Sequence, residues 1–302
     1  MRDRYTPATW SQYRGRMRMT RRRAFAGLGA TALALGGAAG GAQRLPMHAW
    51  YDELTGACGP GGPAPPRLEG TRVASGTLHS AFVPQPVDYA VGLPPGHAGS
   101  AAAVCLPGRG SDADWVMNVL HTVDFVAAAG LRFAVAAVDG GQSYWHRRAD
   151  GEDRMRMLIS DFLPLLRSAF GLEPRAIMGW SMGGYGALLA AERHPQRFPT
   201  VAVSSAAIWQ THAQQASAVP DAFDGAADFA RNDVFAGAGR LARSAVWLSC
   251  GTADPFLVND RAFAARLPHR PAGRFVAGCH DDDFWRRMLP AQAQFVGQAL
   301  AA

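Results

Sequence analysis

The stretch MGWSMGGYGALLAAE, residues 178–192, places a serine between glycines where an apolar run meets a small-residue helix. Glycines two residues before and after Ser181 permit the sharp, strained turn that lifts a hydroxyl out of a sheet. The helix that follows directs unpaired amide N–H groups to the same point, so the N–H of Met182 is a candidate donor of an oxyanion hole. The pattern therefore predicts a serine nucleophile for acyl transfer at Ser181.

A serine hydroxyl needs a base to take its proton, and that base is usually a histidine held by a carboxylate. Of the nine histidines in the chain, His280 is favoured because it directly follows the last strand-like run, RFVAGC. Asp254, in GTADPF, follows the strand-like run before it. Because the carboxyl ends of parallel strands meet at one edge of a sheet, both side chains are expected beside Ser181.

Other acids and histidines compete less well for these two roles. Asp221, Asp224 and Asp228 remain alternative acids in an irregular interval, whereas residues 281–283 are too near His280 in sequence to reach it from another strand. Four histidines are predicted to be structural, because they fall in opening strands, in helices or in turns: His79, His121, His194 and His269.

The loop CLPGRGSD, residues 105–112, is predicted to supply the second oxyanion donor. The amide of either Arg109 or Gly110 could serve, and the choice stays open at this stage. The side chain of Arg109 is predicted either to lie on the surface or to recognise an acidic or hydroxyl-bearing substrate.

Aromatic residues near the predicted site favour a substrate pocket. Tyr144, Trp145 and His146 follow a strand in DGGQSYWHRRADGED, and Trp180 precedes the serine. Such side chains at the edge of a sheet are predicted to wall an acyl or alcohol pocket. The alternative is that they pack beneath the loop.

The cysteines and the basic residues limit the other chemistry. Cys250 and Cys279 each end one of the strands that deliver Asp254 and His280, so a disulfide between them is predicted if those strands are neighbours. Cys58 and Cys105 are then a weaker second pair, and buried free thiols are the alternative. The sequence lacks a C-x-x-C pair and a His/Cys cluster at metal spacing, so no metal is expected. Every basic residue is arginine, which excludes a lysine Schiff base and a Walker-type phosphate loop, and no cofactor is predicted.

The basic charge is concentrated at the start of the chain. Residues 1–25 contain eight arginines and one acid, so the net charge of +6 does not indicate a nucleic-acid partner. Residues 1–42 resemble an export signal of the twin-arginine type, with Arg22 and Arg23 before a weakly apolar run, and a retained membrane anchor is the alternative. We expect no stable membrane span after cleavage of the signal.

The remaining pattern divides into a Pro/Gly-rich lead-in, residues 43–71, and a catalytic domain, residues 72–302. The domain begins with three runs that predict antiparallel strands: TLHSAFV, VDYAVGLP and AAAVCLPG. After Gly110, helical stretches alternate with apolar runs, which predicts a doubly wound, mostly parallel α/β sheet. The interval from Gln210 to Gly239 is either a lid or pocket wall, or one or two surface helices.

Five motifs together resemble the putative esterase family of α/β-hydrolases, which includes esterase D type S-formylglutathione hydrolases and secreted mycolyltransferases: GWSMGGYGA, LPGRG, DGGQSYWH, GTADPF and GCHDDDFWRRMLP. The resemblance runs from about Arg72 onward and implies the α/β-hydrolase fold. It also implies that Ser181 is the nucleophile, Asp254 the acid and His280 the base. The chain departs from the family in its oxyanion loop, LPGRG, which lacks a histidine.

These observations predict an exported serine esterase that acts on a small-molecule, lipid or sugar ester through an acyl-enzyme. Two alternatives belong to other classes. One is an acyltransferase in which an alcohol or a sugar replaces water. The other is a secreted protein of the same fold that binds a ligand without turnover.

Overall fold

The computed structural model describes residues 56–66 and 68–301. The predicted export signal and the first part of the lead-in lie outside these residues, so both stay predictions. Within the described residues, no helix has the length and apolar character needed to cross a membrane.

Eight strands form one sheet in the order β1-β2-β4-β3-β5-β6-β7-β8. The pairs β1/β2 and β2/β4 are antiparallel, and the other neighbours are parallel. The strands are β1 Arg72–Leu78, β2 Val87–Leu93, β3 Ala101–Leu106, β4 Ala134–Val138, β5 Glu173–Trp180, β6 Thr200–Ser204, β7 Ala245–Gly251 and β8 Phe275–Val276. The mostly parallel, doubly wound sheet predicted from the sequence is confirmed.

Helices cover both faces of this sheet. They are α1 Thr122–Ala128, α2 Arg154–Met157, α3 Leu163–Phe170, α4 Met182–Arg193, α5 His212–Ala218, α6 Ala226–Arg231, α7 Val234–Gly237, α8 Leu257–Arg266 and α9 Asp282–Ala301. Alternate residues of β3 enter two separate cores, Val104 and Leu106 on one face, Ala103 and Cys105 on the other. Because both faces are covered, the central strands are continuous apolar runs rather than alternating ones.

The third strand differs from its prediction. The run AAAVCLPG was expected to open the sheet as an antiparallel strand, but β3 pairs in parallel with both β4 and β5. The reason is that β4 inserts between β2 and β3, so the two strands that follow one another in sequence do not form a hairpin. The antiparallel opening is therefore limited to β1, β2 and β4.

The sequence pattern predicts one helix in each of two stretches, DWVMNVLHTVDFVAAAG (114–130) and EDRMRMLISDFLPLLRSAFG (152–171), and both helices are interrupted. The first has a π-helical turn, Trp115–Val119, and then a break at His121, whose φ is 55°. The second has a π-helical turn, Leu158–Phe162, between α2 and α3. The apolar spacing of each stretch is continued through the break, so the sequence pattern did not show it.

The interval 210–239 folds as the short helices α5, α6 and α7. It packs over the loop after β4, where Phe223 lies parallel to the ring of His146 with centroids 4.7 Å apart. The interval therefore covers part of the carboxyl edge of the sheet.

The disulfide predicted between Cys250 and Cys279 is wrong. The structure joins Cys58 to Cys279, with their Cα atoms 4.7 Å apart, and leaves Cys105 and Cys250 as buried free thiols. Cys250 pairs in register with Phe275, so Cys279 lies beyond the end of β8 and faces the lead-in instead of β7. The second pair proposed from the sequence, Cys58 with Cys105, is absent because Cys58 is already bonded to Cys279. Cys105 is a buried free thiol in β3.

Candidate active site

Ser181 occupies the turn between β5 and α4 in a strained backbone conformation. Its φ of 54° and ψ of −119° are rare for any residue with a side chain, and such strain persists only where the surroundings enforce it. The backbone segments on either side of Ser181 pack too closely against their neighbours to leave room for side chains. A Cβ on Gly179 would overlap the carbonyl of Gly183. A Cβ on Gly183 would overlap the carbonyl of Leu106 in turn. The glycines of the motif are therefore required by close packing of strand, turn and helix.

Ser181, His280 and Asp254 form a hydrogen-bonded chain. The Oγ of Ser181 lies 2.9 Å from Nε2 of His280, and Nδ1 of His280 lies 2.9 Å from Oδ2 of Asp254. With a neutral imidazole, the hydroxyl donates to Nε2 and the Nδ1 proton is donated to the carboxylate. The three residues come from the ends of β5, β7 and β8, so the edge of the sheet brings them together.

The carboxylate of Asp254 is held in its ionised form. Burial acts to raise its pKa, but the hydrogen bond and charge of His280, the amide of Phe256 at 2.8 Å and the hydroxyl of Ser205 together hold that pKa below its ordinary value. The side chain of Asp254 is fully buried, whereas that of His280 is 25% exposed. The acid is thus shielded, and the imidazole remains accessible.

Aromatic rings fix the orientation of His280. The centroid of Phe256 lies 5.2 Å from the imidazole centroid, and that of Trp285 lies 5.1 Å away in an edge-on arrangement. Trp285 also donates its indole N–H to the Oγ of Ser205 at 3.1 Å. The imidazole of His280 is therefore held by these aromatic neighbours as well as by Asp254.

Two residues beside Asp254, Ser205 and Asp260, were not among the site residues predicted from the sequence. Ser205 has a φ of 52° and directly follows β6, a position that the rule about strand ends could have identified. Asp260 is fully buried, and burial together with the charge of Asp254 raises its pKa well above the ordinary value. This shift favours the protonated form of Asp260, whose Oδ2 accepts a hydrogen bond from the amide of Ala206 at 3.1 Å.

The candidate oxyanion donors lie around Ser181. Met182 is the first residue of α4, so its N–H has no partner within the helix. The loop after β3 approaches the serine so closely that a Cβ on Gly108 would lie 3.5 Å from the Cβ of Ser181. The amides of Arg109 and Gly110 follow directly, and their assignment as donors stays a prediction.

The side chain of Arg109 binds the 210–239 interval. Its guanidinium makes two hydrogen bonds to Asp221, at 3.0 and 2.5 Å, and a third to Gln142 at 3.3 Å. Asp221 therefore serves Arg109 and does not reach His280. The other alternative acids are also engaged elsewhere, Asp224 with Arg148 at 2.8 Å.

The aromatic residues predicted to wall a pocket are buried instead. Trp145, His146 and Trp180 have no exposed surface, and Tyr144 is 2% exposed. Tyr144, Trp145 and His146 pack beneath the loop, where the ring of Tyr144 lies 5.7 Å from that of Trp209. Trp180 packs on the other face of the sheet, edge-on to Trp115, with ring centroids 5.8 Å apart. The prediction of a pocket wall is thus wrong for Trp145, His146 and Trp180. The sequence could not decide this, because an aromatic residue at the edge of a sheet can line a pocket or pack in the core.

His146 and Asp228 form a buried polar pair beneath the site. Nδ1 of His146 faces the carbonyl of Tyr144 at 2.8 Å, so it must carry a proton, and Nε2 lies 3.0 Å from Asp228. Burial lowers the pKa of His146, against the opposing charge of Asp228. This pair excludes Asp228 as the partner of His280.

Among the described residues, one group has the spacing of metal ligands: Cys58, Cys279 and Asp281. Its two sulfur atoms are joined in the disulfide, so they are not available as thiolates.

Comparison with solved structures places the chain in the α/β-hydrolase fold. A ferulic acid esterase has a TM-score of 0.63 at 21% identity, over 76% of this chain and 98% of that one. The S-formylglutathione hydrolase of Agrobacterium tumefaciens has a TM-score of 0.66 at 15% identity, over 80% and 100%. MPT51 of Mycobacterium tuberculosis has a TM-score of 0.60 at 21% identity, over 76% and 98%.

The family described as "Putative esterase" matches residues 90–295, which is more than half of the chain. The chain therefore belongs to that esterase family of α/β-hydrolases. No curated protein sequence matches it.

Proposed function

We propose that the protein is an exported serine esterase that hydrolyses carboxylic esters through a covalent acyl-enzyme. The observation that carries this proposal is the pair of 2.9 Å hydrogen bonds that link Ser181, His280 and Asp254. The strained turn at Ser181 supports it, because such strain is commonly retained where it serves chemistry.

In the first step, Oγ of Ser181 attacks the ester carbonyl carbon while its proton passes to Nε2 of His280. The tetrahedral intermediate collapses, its bond to the alcohol oxygen breaks, and His280 returns the proton to the leaving alcohol. In the second step, water attacks the acyl-enzyme, gives a proton to His280, and releases the acid and the free serine. Asp254 stays ionised throughout and stabilises the imidazolium.

The negative charge of each intermediate needs hydrogen-bond donors near the carbonyl oxygen. The N–H of Met182 lies at the positive end of α4, directly after the nucleophile. The amide of Arg109 or Gly110, on the loop after β3, supplies the second donor.

An ester with an apolar acyl group suits the surroundings of the base. Phe256 is half-buried beside His280, and Val258 nearby is 69% exposed. Burial of these surfaces by a hydrocarbon or aromatic acyl group would be favourable. A panel of p-nitrophenyl esters from acetyl to palmitoyl measures this preference.

The test of the mechanism is Ser181→Ala, assayed with p-nitrophenyl acetate. We expect kcat to fall at least about a thousandfold, because the nucleophile is lost. Ser168→Ala, at an exposed position of α3, is the matched control and should keep wild-type activity. Full turnover by Ser181→Ala would refute the proposal.

Two measurements separate the alternatives. A fluorophosphonate probe should label Ser181, whereas a protein that only binds ligands would leave the residue unmodified. Addition of methanol or glucose to the assay shows whether transesterified product replaces the free acid, as an acyltransferase requires.

Export is supported by two observations. Residues 1–42 have the basic and apolar segments of a twin-arginine signal. The disulfide between Cys58 and Cys279 is compatible with an oxidising compartment. Fractionation of cells that express the wild type and the Arg22→Gln/Arg23→Gln variant tests export, and accumulation of the variant inside the cytoplasm is expected.

A further inference from the structure

A cleft rich in arginine lies away from the serine site. Its volume is about 960 Å³, near the upper end of the roughly 300–1,000 Å³ typical of small-molecule sites. Residues of the 147–160 segment, the end of α4 and α6 line it, and Ser181, His280 and Asp254 do not. The arginine cleft, as we call it, contains five arginines: Arg147, Arg148, Arg156, Arg193 and Arg231.

Two of the five arginines have carboxylate partners. Arg148 pairs with Asp224 at 2.8 Å, and Arg231 pairs with Asp228 at 3.2 Å. One further acid, Asp153, lines the cleft and accepts a hydrogen bond from a backbone amide at the start of α2. Five arginines thus stand against three acids, which leaves a surplus of positive charge.

The other three guanidinium groups have no ion pair to a carboxylate within the part of the chain that the structure describes. Arg193 donates to the side-chain oxygen of Asn232 at 2.6 Å, a neutral partner. Arg156 lies over the ring of Phe82 at 4.4 Å, an arrangement that leaves the edge of its guanidinium open to a ligand. Arg147 is exposed. Arg193 also donates to the carbonyl of Arg231 at 3.2 Å, another neutral partner. No paired carboxylate among the described residues neutralises the charge of these three groups, and their remaining N–H donors can bind an anion.

The rest of the lining fits an organic anion in water. Met155 is buried and Ile159 half-buried, so the cleft has an apolar part, and Ser160 adds an exposed hydroxyl. His194 also lines the cleft, and burial together with Arg197 and Arg193 lowers its pKa. Burial is the larger cause of this shift, and of the two arginines only Arg193 lines the cleft.

We propose that the arginine cleft binds a small polyanion that carries two or more phosphate or carboxylate groups. A guanidinium presents paired N–H donors that match the oxygens of phosphate and carboxylate, and three unmatched groups need more than one negative charge. The size of the cleft admits a ligand larger than a single ion, and its apolar part can contact a carbon skeleton. This site is independent of the proposed esterase activity.

The test needs a readout that belongs to the cleft, because the eight arginines of residues 1–25 also attract polyanions. The imidazole NMR signal of His194, assigned with His194→Gln, reports the cleft in the full chain. We would titrate the wild type with sodium tripolyphosphate and separately with citrate. Saturable movement of the His194 signal is expected, and the tighter probe identifies the preferred anionic group.

The variant Arg147→Gln/Arg156→Gln removes two of the unmatched charges. We expect the affinity read from His194 to fall at least about tenfold, because two charge-assisted contacts are lost. Arg266→Gln/Arg270→Gln loses the same charge at exposed positions outside the cleft, and its affinity should stay within about twofold of the wild type. If the double variant does not fold, Arg147→Gln alone serves, since its side chain is exposed.

Two results would overturn the proposal. One is a His194 signal that moves with neither probe in the wild type. The other is an equal loss of affinity in the cleft variant and in the control variant, because that would assign the binding to the general charge of the protein.

Discussion

At the scale of single residues, the site depends on a contrast between two buried acids. Asp254 is ionised because His280, Ser205 and the amide of Phe256 stabilise its charge. Asp260 has fewer such donors, and burial with the charge of Asp254 raises its pKa well above the ordinary value. These opposite shifts favour a single negative charge behind the imidazole, because two adjacent charges would repel each other.

Ser205 hydrogen-bonds to Asp254, which in turn contacts His280, so its loss should change the pH profile of the proposed reaction. We expect Ser205→Ala to lower kcat about tenfold, since a hydrogen bond to a charged group is lost. The pKa of Asp254 should rise, and the acid limb of the kcat/KM profile should move to higher pH. Steady-state kinetics between pH 4 and 9 measure both effects.

Ser249→Ala is the matched control for that prediction. Ser249 is also buried and also accepts an indole N–H, from Trp247 at 3.3 Å, but it bonds Ser204 instead of the acid. We expect it to lose stability without a change in the pH profile. A wild-type profile for Ser205→Ala, or the same shift in both variants, would contradict the positioning role.

At the scale of elements, α4 contains both a candidate residue of the site and a buried carboxyl group. It begins at the candidate oxyanion donor Met182, and its side chains are buried almost to its end. Near that end, Glu192 is 3% exposed and its Oε1 has no hydrogen-bond partner among the described residues. Burial raises the pKa of Glu192 to about 9, against the charge of Arg240.

A carboxyl group with a raised pKa in the folded state favours folding at low pH and disfavours it as pH rises. The folded protein retains a proton on Glu192 that the unfolded chain releases above its ordinary value of 4.5. The free energy of unfolding should therefore fall between about pH 4.5 and 9 because of this residue.

Glu192→Gln should remove this dependence. We expect it to raise the free energy of unfolding by up to about 3 kcal/mol at pH 7, with a much smaller effect at pH 4.5. Urea denaturation at the two pH values measures the difference. Glu69→Gln, at an exposed position, is the control and should match the wild type. A gain that does not depend on pH would show that the neutralisation of Glu192 is not its cause.

At the scale of the whole molecule, a disulfide joins the lead-in to the C-terminal segment that carries His280. The disulfide links residues 221 positions apart, and Cys279 directly precedes His280. Arg287 of α9 adds hydrogen bonds to the carbonyls of Cys58 and Ala277, at 3.3 and 2.7 Å. The first described residues thus support the loop that holds the imidazole.

Loss of the disulfide should destabilise the protein as a whole. We expect Cys58→Ser to lower the free energy of unfolding by about 2–4 kcal/mol, because the long loop is no longer closed in the unfolded chain. Denaturation with and without dithiothreitol checks this. The reductant should bring the wild type to the stability of the variant and leave the variant unchanged. A wild type that is insensitive to dithiothreitol would contradict the prediction.

Much of the fold and the principal residues of the site could be predicted from patterns. The apolar runs of β3 to β7 indicated strands buried on both faces, and Ser181 and Asp254 each follow such a run. His280 instead follows the short, partly exposed strand β8. The order of pairing could not be read in this way. A run such as AAAVCL can have the same composition in a parallel or an antiparallel strand. The predicted antiparallel pairing of β3 was therefore wrong.

The sequence by itself determined the α/β class, the family motifs and the residues Ser181, Asp254 and His280, because periodicity and strand ends are local properties. Only the tertiary structure decided the partner of Cys279, the burial of Trp145 and His146, and the role of Ser205 beside Asp254. It also brought together arginines from three separate segments into one cleft. The physical reason is that such contacts depend on which side chains face one another once the sheet and helices have packed. Residues far apart in the chain have no local sequence pattern that indicates this pairing.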